Sequence, residues 1–448
     1  MDGRPAVRDV LVIGAGIAGM KAALMLAGPA RRVVLVERLP IIGGKTIKNE
    51  ESFPNMECST CMVAPIQQAV LQNPHIETLT HSVLEGLDGA PGDFTARIRA
   101  KARYVSLEAC IGCGMCWEAC PVTLPNEWEE SLSERKAIYV PCAGSLPNVP
   151  VIDAERCLRL NGTEECSLCV ESCAFEAVDL ADGDRILERR VGAVLVASGA
   201  ETMSPAPFVR LGWGTLPGVF TSMEFERLFA SNGPTQGAIT LRGSGTVPGS
   251  AAIVHCVGRA EAGYCSGVCC MAAFKYERFL HHRIPGVRIF HVHSDLCVPG
   301  KAYQGFADGS AGDRSGLLYS SSMPDVEVSG SGDSLLVRYP DASGAVAEVR
   351  VDMVVLATAI VPDPSSAALA GTAGLGLDAS GFVGTADPSG GSMETSRPGV
   401  FVAGTAQGPM DIQGAVIQAQ AAAGQIASLL DRLRVDRSGA GSGKRPAS

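Results

Sequence analysis

Residues 9–19 read DVLVIGAGIAG, and no other stretch restricts the fold as much. The apolar run at 9–14 has the pattern of a buried parallel strand. Gly14, Gly16 and Gly19 follow in G-x-G-x-x-G spacing, a helical pattern continues through MKAALMLAG, and a second apolar strand, VVLVE, ends at Glu37. Strand, glycine turn, helix, strand and an acid about twenty residues on make a βαβ unit that binds a dinucleotide. Gly14 permits the tight turn, Gly16 lets a pyrophosphate reach the backbone, and Gly19 lets helix and strand pack closely. Ala15, Ile17 and Ala18 complete the turn, whose N–H groups and helix dipole face the phosphates. Glu37, with Arg38 beside it, is expected on the ribose hydroxyls. The competing reading is a glycine-rich turn that holds no ligand.

Shortly after the acid comes Gly43-Gly44-Lys45. A glycine pair followed by a cation resembles the second phosphate signature of two-dinucleotide-domain flavoproteins, the thioredoxin and glutathione reductase class, and it selects FAD over NAD. VGAVLVASGA (191–200), with Ala197, Ser198 and Gly199, and VDMVVLATAIVP (351–362) each read as a strand returning from an inserted domain and ending in a small-residue turn. Residues 399–427 resemble the last flavin-contacting strand and helix. Gly404-Thr405 stands there where this class often has Gly-Asp, so the acid for the ribityl chain is replaced.

Into this framework the chain inserts CIGCGMCWEACP. Cys110, Cys113, Cys116 and Cys120, then Pro121, have the C-x2-C-x2-C-x3-C-P spacing of bacterial ferredoxins. Cys157, Cys166, Cys169 and Cys173 repeat the C-x2-C-x3-C rhythm, with Ala174 in place of the proline. In two-cluster ferredoxins the fourth cysteine of each run ligates the other cluster. By that resemblance one [4Fe-4S] cluster takes Cys110, Cys113, Cys116 and Cys173, and the other Cys157, Cys166, Cys169 and Cys120. A zinc knot is the alternative, and eight ligands in this order argue against it. Cys142, between the runs, reads as structural.

Of the sixteen cysteines, fifteen lie between Cys58 and Cys270. In a long chain whose start, MDGRPAVRDV, does not read as a signal peptide, such clustering points to metal rather than disulfides. Cys58 and Cys61 (CSTC) fit a redox disulfide, cluster ligands or plain thiols. At 250–282 a strand and a helix flank CVGRAEAGYCSGVCC, where a second nucleotide domain would carry phosphate glycines. The glycine spacing is gone, and Cys256, Cys265, Cys269 and Cys270 occupy the loop. NAD(P)H binding is therefore expected to be lost, with either a third cluster or buried or redox-active thiols in its place. Asp295 reads as a relic or a cap. Cys297 stands apart and reads as an ordinary buried thiol. None of the seven histidines makes a metal pair by spacing; His281 and His282 fall at a helix end, where a dipole role is usual.

The net charge of −10, without a Lys/Arg run, gives no sign of nucleic-acid binding. No apolar run reaches the ~18 residues of a membrane span, and a cytoplasmic location is expected.

Taken together, GAGIAGMKAAL, FPNMECSTCMVAPI, RYVSLEACIGCGMCWEACPV with NEWEESLSERKAIYVP, and HCVGR…YCSGVCCMAAFK resemble the heterodisulfide reductase A-subunit family over nearly all of 8–430. The resemblance is to a short form, like the quinone-interacting oxidoreductase and sulfur-oxidation versions, without the extra N-terminal iron–sulfur domain and C-terminal ferredoxin of the longest members. It implies an α/β two-dinucleotide-binding-domain flavoprotein with an inserted bacterial-type 2[4Fe-4S] ferredoxin domain. The expected division is 1–100, 183–245 and 356–434 for the FAD-binding domain, 101–182 for the ferredoxin insert, 246–355 for the cysteine-bearing second nucleotide domain, and a flexible tail at 435–448. The implied role is an electron-transfer subunit relaying between other redox subunits, iron–sulfur or flavoprotein, or a ferredoxin, within a hetero-oligomeric complex. Two other classes stay open: a self-sufficient NAD(P)H or disulfide oxidoreductase, and a cluster-bearing scaffold.

Overall fold

Val10–Ile13 (β1) is a run of four buried apolar residues, as a strand covered on both faces must be. The structure is a computed structural model and describes residues 8–310, 316–387, 389 and 391–439. From β1 the chain runs through α1 (Ile17–Leu26), β2 (Val33–Val36), α2 (Ser59–Gln72) and β3 (Ile76–Leu79). It then forms a hairpin, β4 (Ser82–Ala90) and β5 (Asp93–Ala100). Past the cysteine-rich segment, which holds two one-turn helices, α3 (Met115–Glu118) and α4 (Leu168–Glu171), come β6 (Arg185–Val191) and β7 (Ala193–Val196). A second series follows: β8 (Val219–Thr221), α5 (Ser222–Phe229), β9 (Ser250–Val257), α6 (Cys269–Arg283), β10 (Arg288–His293), β11 (Leu317–Tyr319) and β12 (Met353–Thr358). The chain returns in β13 (Val400–Val402) and ends its described part in α7 (Ile412–Gly439).

The first sheet is parallel, in the order β13-β7-β1-β2-β3. Alternate residues serve opposite faces. Val10, Val12, Leu35 and Leu195 pack under α1 and α7, where Ala22, Ala23, Ala419 and Ala422 let the two helices approach closely. Leu11, Ile13, Val34 and Val196 pack against Leu84, Phe94 and Ile98 of the antiparallel β4–β6 sheet. That sheet, in the order β6-β5-β4, has Ala100 of β5 opposite Arg185 of β6. The cysteine-rich segment therefore leaves and re-enters through adjacent strand ends. Its own apolar core is small, built on Val105, Ile138, Val149, Ile152 and Val178 with cysteines packed around it.

The second sheet is also parallel, β8-β12-β9-β10-β11. Phe220, Phe225, Ile253 and Phe279 pack on its helical face. A meander of Glu327–Ser331, Ser334–Pro340 and Val346–Val351 covers the other. This corrects two expected boundaries. The second unit takes in β8 and α5, so it begins well before residue 246, and β12 belongs to it through Thr358 rather than stopping at 355. β8 is only three residues long, and its place is fixed by pairing with β12 about 130 residues later, which no local pattern reveals. The tail expected from 435 is helical through Gly439, and 440–448 lie outside the described residues.

His81 sits at the β3–β4 corner with φ +54° and a buried, unpartnered Nδ1. Burial, then the charges of Arg103 and Lys101, pull its pKa down to about 4. The unfolded chain binds this proton near pH 6.5, so the fold loses stability as pH falls below that value. Between pH 7 and pH 5 the loss is about 1–2 kcal/mol. His81→Asn, a residue that tolerates the left-handed backbone, is expected to flatten the fall in melting temperature over that range. An unchanged slope would show that other groups cause it.

Candidate functional site

The glycine turns meet at the carboxyl ends of β1, β7 and β13, where open α/β sheets bind ligands. Gly14 has φ +101°, and a Cβ there would lie 2.2 Å from the Ala197 oxygen. Gly16 bridges to Gly43, and a Cβ on Gly44 would lie 2.7 Å from the Gly16 Cα. Gly404 has φ +71° and stands against Ala18, and Gly199 faces Thr405. Thus the four segments singled out in the sequence, 14–19, 43–45, 197–199 and 404–405, form one cradle of bare backbone. Ser198 Oγ is buried in it without a partner. Such a cradle, at the start of the ten-residue α1, fits a dinucleotide phosphate.

Three side chains behave differently from expectation. Both Glu37 oxygens accept backbone N–H groups, from Ala15 at 2.7 Å and Leu39 at 2.8 Å, so the carboxylate braces the turn before it meets any ribose. Burial raises its pKa. Lys45 contacts the Ala200 carbonyl and Glu201 rather than standing free. Arg38 is held by Asp363 at 3.0 Å. Gln67 was not foreseen; its Nε2 donates to the Ile42 carbonyl at 2.7 Å and fixes the Gly43 turn.

The eight cysteines of the insert fall into two cavities. Cys110, Cys113, Cys116 and Cys173 line one, with Gly112, Trp117 and Pro150. Cys120, Cys157, Cys166 and Cys169 line the other, with Pro121 and Ile152. Each cavity takes three cysteines from one run and one from the other. Burial pushes the Cys116 thiol up to about 12, with Cys110 adding to it, and Cys169 up to about 11, with Cys157 next in weight. Thiolates in such surroundings need a cationic core. Among the described residues no three potential ligands converge as one metal ion requires; a cubane instead takes one thiolate at each of four separate irons, so the two rings of sulfur fit it. Cys142 is buried near Trp128 in the first domain's core and bonds Ser145, a structural place.

In the second domain, β9 breaks register after Val254, and Cys256 adopts φ +56°. The bulge re-aims this cysteine toward the following loop. Cys265 lies in that loop, and Cys269 and Cys270 begin the fifteen-residue α6. Hydrogen bonding from Cys270 lowers the Cys269 thiol, and the same bond raises Cys270. Burial raises Cys256, which Arg259 Nη1 approaches at 3.9 Å. The expectation that Cys297 stands apart is overturned: its N–H donates to Cys270 Sγ at 3.4 Å. It enters from the loop after β10, a strand paired with β9, so its proximity comes from sheet order alone. Beside these thiols, Cys256, Cys265, Arg259, Arg210 and Asp295 line a cavity of ≈ 500 Å³. Asp295 pairs with Arg259 at 3.1 Å.

Sequence spacing also hid a histidine contact. His255 and His291, on neighbouring strands, meet at 2.9 Å, and His291 lies 3.4 Å from Glu277. His281, at the end of α6, stands 3.8 Å from the same carboxylate. Cys58 caps α2, its Sγ accepting the Cys61 N–H at 3.2 Å, while Cys61 is exposed.

The insert's surface is distinctive. Residues 101–182 hold six Lys and Arg against fourteen Asp and Glu, a net −8 of the chain's −10. Ile111, Met115, Phe175 and Leu168, which line the two cysteine cavities, are exposed. Among the described residues no helix is long and apolar enough to cross a membrane.

The FAD dependent oxidoreductase family matches residues 9–109, and the 4Fe-4S binding domain family matches 103–122. The chain is 35% identical over 422 residues to the A subunit of the H(2):CoB-CoM heterodisulfide,ferredoxin reductase of Methanothermobacter marburgensis, covering 93% of this chain and 63% of that one. It is 36% identical over 426 residues to the second iron-sulfur A subunit of the CoB--CoM heterodisulfide reductase of Methanopyrus kandleri, covering 94% and 64%. The chain thus spans under two thirds of these relatives' length. Lactococcus lactis thioredoxin reductase superimposes with a TM-score of 0.51 at 14% identity, covering 95% of this chain and 99% of that one, which shows the shared flavoprotein fold.

Proposed function

Because the chain belongs to the heterodisulfide reductase A-subunit family over the stretch it shares with those longer relatives, we propose that it is an electron-transfer subunit of a multi-subunit redox complex. It would hold one FAD, two [4Fe-4S] clusters in the insert and a third at the loop after β9. The observation that carries this reading is the sorting of eight cysteines into two cavities of four, on an insert tethered to a dinucleotide cradle. Flavin accepts electrons in pairs and a cubane passes them singly, so the set converts between the two kinds of traffic.

The chain's own residues do the holding. Gly14, Gly16, Gly19, Gly43, Gly44, Ala197–Gly199 and Gly404 would bare backbone to the dinucleotide, and Glu37 would keep the first turn in shape while offering lone pairs to a ribose. Cys110, Cys113, Cys116 and Cys173 would carry one cluster and Cys120, Cys157, Cys166 and Cys169 the other. Cys256, Cys265, Cys269 and Cys270 would serve the third, where the N-terminus of α6 favours an anionic centre. The partner would meet the acidic insert at the exposed apolar residues on the cavity rims, and would carry a basic surface around its own redox centre; ferredoxin-like and flavoprotein subunits are both candidates. A location in the cytoplasm accords with cysteines kept reduced.

The test is anaerobic purification with flavin, iron and sulfide quantitation, followed by EPR during a redox titration. One FAD and about twelve irons per chain are expected, with the flavin not bleached by NADPH alone. Bleaching by NADPH would favour a self-sufficient oxidoreductase. Zinc in place of iron and sulfide, or clusters that do not change state, would favour the scaffold.

A further inference from the structure

With Cys297 brought in from the loop after β10, the site has one thiol more than a cubane needs. Cys297 Sγ lies 3.8 Å from the Gly267 carbonyl, and Gly267 N–H donates to Cys265 Sγ at 3.4 Å. The Cys265 and Cys297 thiols also contact each other. From its other side the Cys297 backbone holds Cys270. Cys297 therefore stands between Cys265 and the start of α6.

The five thiols are not equally fixed. Cys269 and Cys270 belong to a helix, and Cys256 is set by the bulge in β9. Cys265 is exposed and lies between Gly263 and Gly267, both with positive φ and open space on the Cβ side. Its position is the adaptable one, and Cys297 is the thiol that adjoins it.

We propose that Cys297 is an alternative ligand at this site: Cys256, Cys269 and Cys270 hold three corners of the cluster, and the fourth corner is shared between Cys265 and Cys297. The exchange breaks the Fe–S bond to Cys265 and forms one to Cys297. The proton of the incoming Cys297 thiol passes to the departing Cys265 sulfur, so charge and iron oxidation state are unchanged. The result is a cluster whose most exposed ligand is replaceable. The proposal rests on the third-cluster reading above.

The test uses the full chain, loaded anaerobically, with Cys265→Ala, Cys297→Ala and the double variant, since alanine offers no ligand atom. Iron and sulfide per flavin and the EPR spectrum are read in each, with flavin content reporting the fold. Both single variants are expected to retain about twelve irons, Cys265→Ala with an altered signal from this cluster, and the double variant to drop by about four. A drop of four in Cys265→Ala alone, or none in the double variant, would overturn the proposal and leave the third cluster standing. About eight irons in the unsubstituted chain would overturn the third-cluster reading and this proposal with it.

Discussion

Glu129→Ala is expected to destabilise the protein by about 3–5 kcal/mol, because it strands a buried arginine. Arg227, on α5, is fully buried and clasps Glu129 with both ends of its guanidinium, Nε to Oε2 at 2.7 Å and Nη2 to Oε1 at 3.1 Å. Its Nη1 donates to the Lys48 carbonyl at 2.7 Å and its Nη2 to Asn232 at 3.0 Å. One side chain thus joins the second domain, the insert and the turn after the glycine pair. Without the carboxylate, the cation keeps two acceptors and loses its counter-charge. Glu127→Ala, two residues earlier, is the control: Glu127 is exposed, and its buried partner Arg135 keeps Asp153 at 2.9 Å, so the change should cost about 1 kcal/mol. Denaturation followed by flavin fluorescence would separate the two variants; equal losses would show that the buried pair is no anchor.

Cys173→Ala is expected to remove about four irons, and the cluster lost should be the one on the first run, not its own. The structure places Cys173 with Cys110, Cys113 and Cys116, about sixty residues away in the chain. A double variant, Cys113→Ala with Cys173→Ala, tests this directly. If both side chains serve one cluster, the double loses about four irons, like either single; if each run keeps its own, it loses about eight. Cys113→Ala with Cys169→Ala is the converse case and should lose about eight.

Much of this was legible because the informative signals are local. A strand, three spaced glycines and a helix declare a βαβ unit within thirty residues, and the C-x2-C-x2-C-x3-C rhythm sets four ligands on one loop. Features that depend on pairing between distant strands were not legible. Cys297 and the His255–His291 contact arise only because β9 lies beside β10. Assignment of β8 to the second sheet needed β12 to be in place, and Glu129 meeting Arg227 required two separate units to dock. Glu37 shows a subtler limit: the spacing marked an acid, but only the structure reveals that the backbone claims both of its oxygens.

The docking that buries Arg227 also bears on how the molecule could be regulated. Lys275, on α6, reaches across to the Glu51 carbonyl at 3.0 Å, the Glu50 N–H donates to Glu226 of α5 at 3.4 Å, and Ser231 N–H is held by Glu50 at 3.0 Å. The second domain is thus clamped to the first by interactions that would have to break together before it could swing. Fixed separations make a circuit rather than a shuttle. Electron hops between centres set this way would keep the same pace in a viscous solvent as in a dilute one, and control of the current would fall to the encounter with partners.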